Sequence, residues 1–144
     1  MGVIWVMAIP SIVFTRIKTE FSSKLKEKYS ITGKNFSTVG SSDTPPVFPF
    51  VYIQSIEPTE TGTDLEGINI NGGIFSFQVD VIDNQSQTRA KEVMTEILRI
   101  MKSMGFQCKP MPSFDNSTKD VHRMIARFRK NIDESDILKR IEPL

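Results

Sequence analysis

The chain is poor in the residues that do chemistry: it has one cysteine, one histidine and one tryptophan. Each scarcity excludes something. Cys108 alone cannot close an intrachain disulfide, and a lone cysteine suits a reducing compartment. Cys108 and His122 together fall short of the three or four ligands of a Cys/His zinc site, so no metal and no cofactor is expected. A Cys–His nucleophilic pair is formally possible, but His122 shares its strand face with Met124, Ala126 and Phe128, a core-like setting. Charge of neither sign dominates: 18 Lys and Arg stand against 17 Asp and Glu. A general nucleic-acid binder carries a bulk basic excess, so any such role here requires local clustering. No apolar run approaches the roughly 20 residues of a membrane span, and the short apolar stretch at residues 3–9 lacks the basic flank of a signal peptide. No membrane role is expected.

Catalytic motifs are also missing. There is no GxxxxGK[ST] run, no GxGxxG and no GxSxG. The carboxylates of "EPTETGTDLEG" lack the order of a calcium loop, which sets alternate acids around a fixed glycine between two helices. The chain is therefore expected not to be an enzyme.

Periodicity supplies the architecture. At 144 residues the chain fits one domain, 1–144. Residues 1–9 read as an apolar N-terminal strand or arm, with Ile4 and Trp5 as interface candidates. Pro10 suits a first helical turn. Val13, Ile17, Phe21 and Leu25 then recur every fourth residue, predicting one helix that ends near Tyr29. Residues 30–46 are a long Ser/Thr/Gly-rich connection, with Phe36 and Val39 as possible anchors. "VFPFVYIQSIE" (47–57) is apolar on both faces and predicts a well-covered strand that begins after Pro49 or lies at an edge at its start. Residues 58–72 form the tip of a long hairpin, and 73–83 form its return strand. Phe75, Phe77, Val79 and Val81 face one way on that strand; Ser76, Gln78 and Asp80 face the other.

A second helix follows. Asn84 and Gln87 suggest a capping box. Val93, Met94, Ile97, Leu98, Met101 and Met104 make its apolar stripe, widened by Ile100, and Gly105 stops it. The methionines read as core filling. A short strand from Phe106, a turn at 113–120, and a strand over 121–132 come next. Residues 133–144 form a short helical tail, with acids before bases to suit the helix dipole. The fold class expected is α+β: a mainly antiparallel sheet with a long hairpin, flanked by two main helices and a short C-terminal helix.

The strand "VHRMIARFRK" carries the most informative pattern. Arg123, Arg127 and Arg129 share one face with Val121 and Ile125. A mixed Arg/apolar face suits a subunit interface. A plain solvated face and a nucleic-acid face are the alternatives. The acidic counterpart lies in the hairpin: Glu57, Glu60, Asp64 and Glu66.

Five stretches resemble one family: "FPFVYIQSIE", "TGTDLEG", "GIFSFQVDVIDNQS", "RAKEVMTEILRIMKSMGF" and the "MP…VHRMIARFRKNI" ending. Over about residues 10–132 the chain is similar to the tail terminator, or tail-completion, proteins of tailed bacteriophages and related prophage particles. It departs from that group in His122 and Phe128, where tyrosine is usual, and in the apolar leader 1–9. The resemblance implies a structural virion protein, assembled in the bacterial host cytoplasm, forming a ring of usually six subunits. That ring caps the head-proximal end of the tail tube, stops its polymerisation and offers a surface for head joining. Implied partners are copies of itself, the tail tube protein, head–tail connector or neck proteins, and the sheath of a contractile tail. DNA is passing cargo. A head-completion or neck connector protein is the alternative within this class. A small regulatory nucleic-acid-binding domain is the alternative outside it.

Overall fold

A computed structural model describes residues 4–38, 47–63, 70–109, 111–114 and 121–133, with backbone alone for 4–7, 57–63, 70–72 and 133. The described elements are helices α1 (Ile4–Glu20) and α2 (Ser23–Tyr29), a 3₁₀ turn (Gly33–Asn35), and strands β1 (Phe36–Ser37), β2 (Phe50–Thr63) and β3 (Ile70–Asp83). Helix α3 (Gln87–Ser103) and strands β4 (Gln107–Cys108), β5 (Ser113–Phe114) and β6 (His122–Asp133) complete them. The fold is α+β, as the patterning predicts. The sheet order is β1-β2-β3-β6-β4, with β5 also paired to β6. Every pairing is antiparallel except that of β1 with β2.

One face of the sheet and the helices enclose a single core. Val51 and Ile53 of β2, Phe75, Phe77, Val79 and Val81 of β3, and Met124, Ala126 and Phe128 of β6 are buried there. They meet Ile9, Val13 and Ile17 of α1 and Val93, Met94, Ile97, Ile100 and Met101 of α3. The methionines of α3 are core, as expected. The opposite parity of β2 is not well covered: Gln54 and Ile56 are exposed. The reading of 47–57 as covered on both sides is thus corrected to one buried face.

The leader is not a strand or loose arm. Residues from Ile4 onward belong to α1, and Pro10 lies inside that helix rather than at its first turn. Ile9, fully buried, begins the same every-fourth-residue stripe that runs through Val13 and Ile17. Burial of that stripe outweighs the backbone hydrogen bond that Pro10 cannot donate. Nor is there one helix to Tyr29. The chain breaks between Glu20 and Ser23, and α3 holds both sides of the break. Ser22 N–H donates to Glu96 Oε2 at 2.6 Å, and the Arg99 guanidinium donates to the Glu20 carbonyl at 3.1 Å. Lys26 Nζ caps α1 further by donating to the Lys18 carbonyl at 2.9 Å. The exposed ends of both helices thereby find partners.

The start of the connection after α2 is structured. Thr32 and Asn35 form a capping box around the 3₁₀ turn. Asn35, fully buried, donates to the Pro49 carbonyl at 2.8 Å and so fixes the entry to β2. Phe36 anchors this segment, as expected, edge-on to Phe21 with centroids 5.5 Å apart. Val39 lies outside the described residues.

Helix α3 starts at Ser86, not Asn84. Ser86 Oγ accepts from Arg89 N–H at 3.1 Å, and Asp83 Oδ2 accepts from the N–H groups of Gln85 and Ser86. The hydroxyl one turn before Arg89 wins because Asp83 already fixes the backbone of 85 and 86. Gly105 ends the helix as expected, at φ 92°. Gly105 N–H bonds the Lys102 carbonyl and Phe106 N–H the Met101 carbonyl, which is a Schellman closure. Phe106 is spent in that closure, so β4 begins only at Gln107. Ser113 and Phe114 pair with β6 instead of turning. The C-terminal helical tail falls on residues 134–144, outside those described.

Candidate functional site: an unpaired sheet edge and a basic recess

Arg123, Arg127 and Arg129 do share one face of β6, opposite in parity to Met124, Ala126 and Phe128. Their partners differ from the expectation. Arg123 was expected to meet acids of a neighbouring subunit. It pairs instead with Asp80 of its own chain, donating from Nε to Oδ2 at 3.0 Å and also through its terminal nitrogen. The reason is register: Ile82 lies opposite Arg123, and Asp80 sits diagonally on the same face. The Asp80 side chain is only 3% exposed, so its charge needs this partner. Gln78 Nε2 supports Asp80 Oδ1 at 3.1 Å, and Arg127 Nε donates to Gln78 Oε1 at 3.2 Å. Arg127 is exposed and engaged within the chain as well. Arg129, also exposed, lies in register between Ser76 of β3 and Gln107 of β4.

Around Arg129 the surface sinks into a recess of about 430 Å³, lined by Ile74, Gly105, Gln107, Lys109, Lys130 and Asn131 as well. No acidic side chain among the described residues lines it. Lys130 has the parity of the core face but escapes the core by donating from Nζ to the Met104 carbonyl at 2.9 Å. That places a cation at the negative end of α3. Lys109 and Lys130 escaped the sequence reading. Lys130 carried a signal, a lysine on the buried parity of β6, whereas Lys109 carried none.

The acidic candidates belong to the strand on the far side of β3. Glu57 and Glu60 belong to β2, inside the strand rather than in a tip, because β2 runs to Thr63 and β3 begins at Ile70. Among the described residues β1 alone pairs with the outer edge of β2, at Val51 and Tyr52. From Ile53 onward no described strand covers that edge. Ile56 pairs with Ser76 and Thr59 with Ile74, so β2 carries one extra residue at Glu57-Pro58. A bulge with proline is a usual feature of an edge strand. Asp64 and Glu66 lie outside the described residues. Ile4 and Trp5 are in the first turn of α1, and the interface role proposed for them has no described side chain to test it.

The Cys108–His122 pair is not brought together. Cys108 aligns with Phe128 on β6, six residues from His122, about 20 Å at the usual strand rise. Burial pushes the Cys108 thiol up, against weaker lowering from the backbone of Arg127 and from Lys102, so it is a poor nucleophile. Among the described residues no three His, Cys, Asp or Glu side chains are grouped to hold a metal ion, and no helix is long and apolar enough to cross a membrane.

No protein-family model matches the chain, and a search of curated proteins finds no relative.

Proposed function

We propose that the chain is a ring-forming structural subunit of a bacteriophage tail, a terminator that caps the tail tube. One observation carries this reading. The sheet presents two unlike surfaces on either side of β3, an outer β2 edge that no described strand pairs from Ile53 onward and a basic recess beside β4 and β6. A closed ring is built from head-to-tail contacts, which require two unlike and complementary patches on one protein. A net charge of only +1 gives the chain no bulk attraction to nucleic acid. The self-contained core supports it too, since a subunit that assembles late must fold by itself. The sequence resemblance names the ring: six copies at the head-proximal end of the tube, touching tube protein, connector and, in contractile tails, sheath.

The test is a ring count on the purified protein by native mass and negative-stain microscopy, with a tube-capping assay. Six subunits and shortened tubes support the terminator. A twelvefold ring that docks on a portal supports the neck connector instead. DNA binding that falls steeply with salt, in a protein that stays monomeric, supports the nucleic-acid reading.

A further inference from the structure

Strand register packs cations of one sign together on the outer face of β4 and β6. Gln107 of β4 lies opposite Arg129 of β6. Lys109 N–H donates to the Arg127 carbonyl at 3.3 Å, which carries that register on and sets Lys109 opposite Arg127. Residues of one parity share a face, so Gln107, Lys109, Arg127 and Arg129 form one block on the side away from the core. Side chains directly opposite on one face stand about 5 Å apart at Cβ, and like charges there repel. Lys109 against Arg127 is such a pair, with Arg129 on the diagonal. All three are exposed, and among the described residues none of them is in an ion pair. Arg127 leans on the neutral Gln78, which does not balance its charge. Just before β4, Gly105 at φ 92° closes α3. β4 therefore starts only at Gln107 while β6 runs on to Asp133, and the recess opens in the gap beside Asn131.

We propose that this recess binds a terminal phosphate group, as inorganic phosphate or a phosphate monoester, held by Lys109 and Arg129. The chemistry fits. Arg129 offers a planar fork to two oxygens, and Lys109 brings a mobile ammonium to a third. The Gln107 amide, opposite Arg129 in register, adds a neutral donor. Lys130 is anchored on the Met104 carbonyl and adds fixed positive potential. Charge decides between anions. A terminal phosphate carries about −1.5 to −2 at pH 7. That is enough to offset the repulsion between Lys109 and Arg127 as well as the Arg129 charge. A carboxylate brings one charge and two oxygens, which Arg129 alone would use up. The net charge of the chain is only +1, so the attraction is local to this recess and does not come from the molecule as a whole.

The experiment uses the full chain and a variant carrying Lys109→Gln with Arg129→Gln. Both positions are exposed, so the variant is expected to keep the wild-type melting temperature. Inorganic phosphate is titrated calorimetrically at constant ionic strength, beside sodium acetate and a short DNA duplex. The wild-type chain is expected to bind phosphate saturably, one per chain, and acetate at least about tenfold more weakly. The variant is expected to raise the phosphate dissociation constant at least about tenfold. Should the double variant unfold, Lys109→Gln alone serves in its place, with weaker phosphate binding expected. A wild-type chain that does not saturate with phosphate overturns the proposal, and so does a folded variant that binds phosphate as the wild type does. Acetate bound as tightly as phosphate makes the recess a carboxylate site and overturns it. A duplex bound through Lys109 and Arg129 by a chain that does not take up inorganic phosphate makes this face a surface for nucleic-acid backbone and overturns it too. The readout is ligand binding by monomer or ring alike, so its failure leaves the ring reading standing, and a chain that forms no ring leaves the phosphate site to be judged by the same titration.

Discussion

Arg123 and Asp80, forty-three residues apart in sequence, form an ion pair across β3 and β6 with a buried carboxylate and a half-exposed guanidinium, and Gln78 donates a further hydrogen bond to the carboxylate. The pair assigns Arg123 to the subunit's own stability. Arg123→Ala leaves Asp80 with its charge poorly compensated. It is expected to cost about 1–3 kcal/mol in urea unfolding while sparing the assembly of whatever remains folded. An Arg123→Ala chain of wild-type stability that fails to assemble would return this arginine to the interface.

Ile97 has no exposed surface at the centre of the α3 stripe. Ile97→Ala is expected to destabilise the chain by about 2–5 kcal/mol, combining lost burial with the cavity left behind. Denaturant midpoints, with unchanged slope, check it.

The leader behaves as part of the domain. Ile9 is fully buried in α1, and residues from Ile4 belong to the same helix. Deleting residues 1–8 removes the first turn of that helix and is expected to lower the melting temperature of the monomer. A deletion that weakens assembly alone, with monomer stability unchanged, would restore the arm.

Glu96 ties the α1–α2 break to α3. The Arg99 guanidinium, with Ser22 N–H second among the groups that lower it, holds its carboxyl below the ordinary 4.5 against the opposing effect of burial. The unfolded chain then binds this proton more readily than the folded one. The contribution to stability is complete above about pH 4.5 and is lost as pH falls through the lower folded value. Glu96→Gln is expected to flatten that acid limb of the stability curve. A wild-type slope retained in the variant would remove Glu96 from the account.

Much of the fold was legible because burial imposes simple periods. Phe75, Phe77, Val79 and Val81, like Met124, Ala126 and Phe128, alternate because one sheet face is buried, and α3 shows its stripe because it has one core side. The α1–α2 break was not legible. The spacing of Val13, Ile17, Phe21 and Leu25 runs straight through it, and the groups that hold it, Glu96 and Arg99, are 74 and 79 residues away from their partners. The site was half legible. Parity put three arginines on one face, but register decides partners, and only register sets Asp80 beside Arg123. Lys109 enters the recess because β4 ends beside it, a placement no local pattern announces.

The central claim is the proposal that copies of this chain join into a closed ring. Native mass measurement of the wild-type protein at physiological salt tests it most directly. The account predicts one discrete closed species of six subunits. A monomer at every concentration, or an open ladder of sizes without a preferred ring, would contradict it.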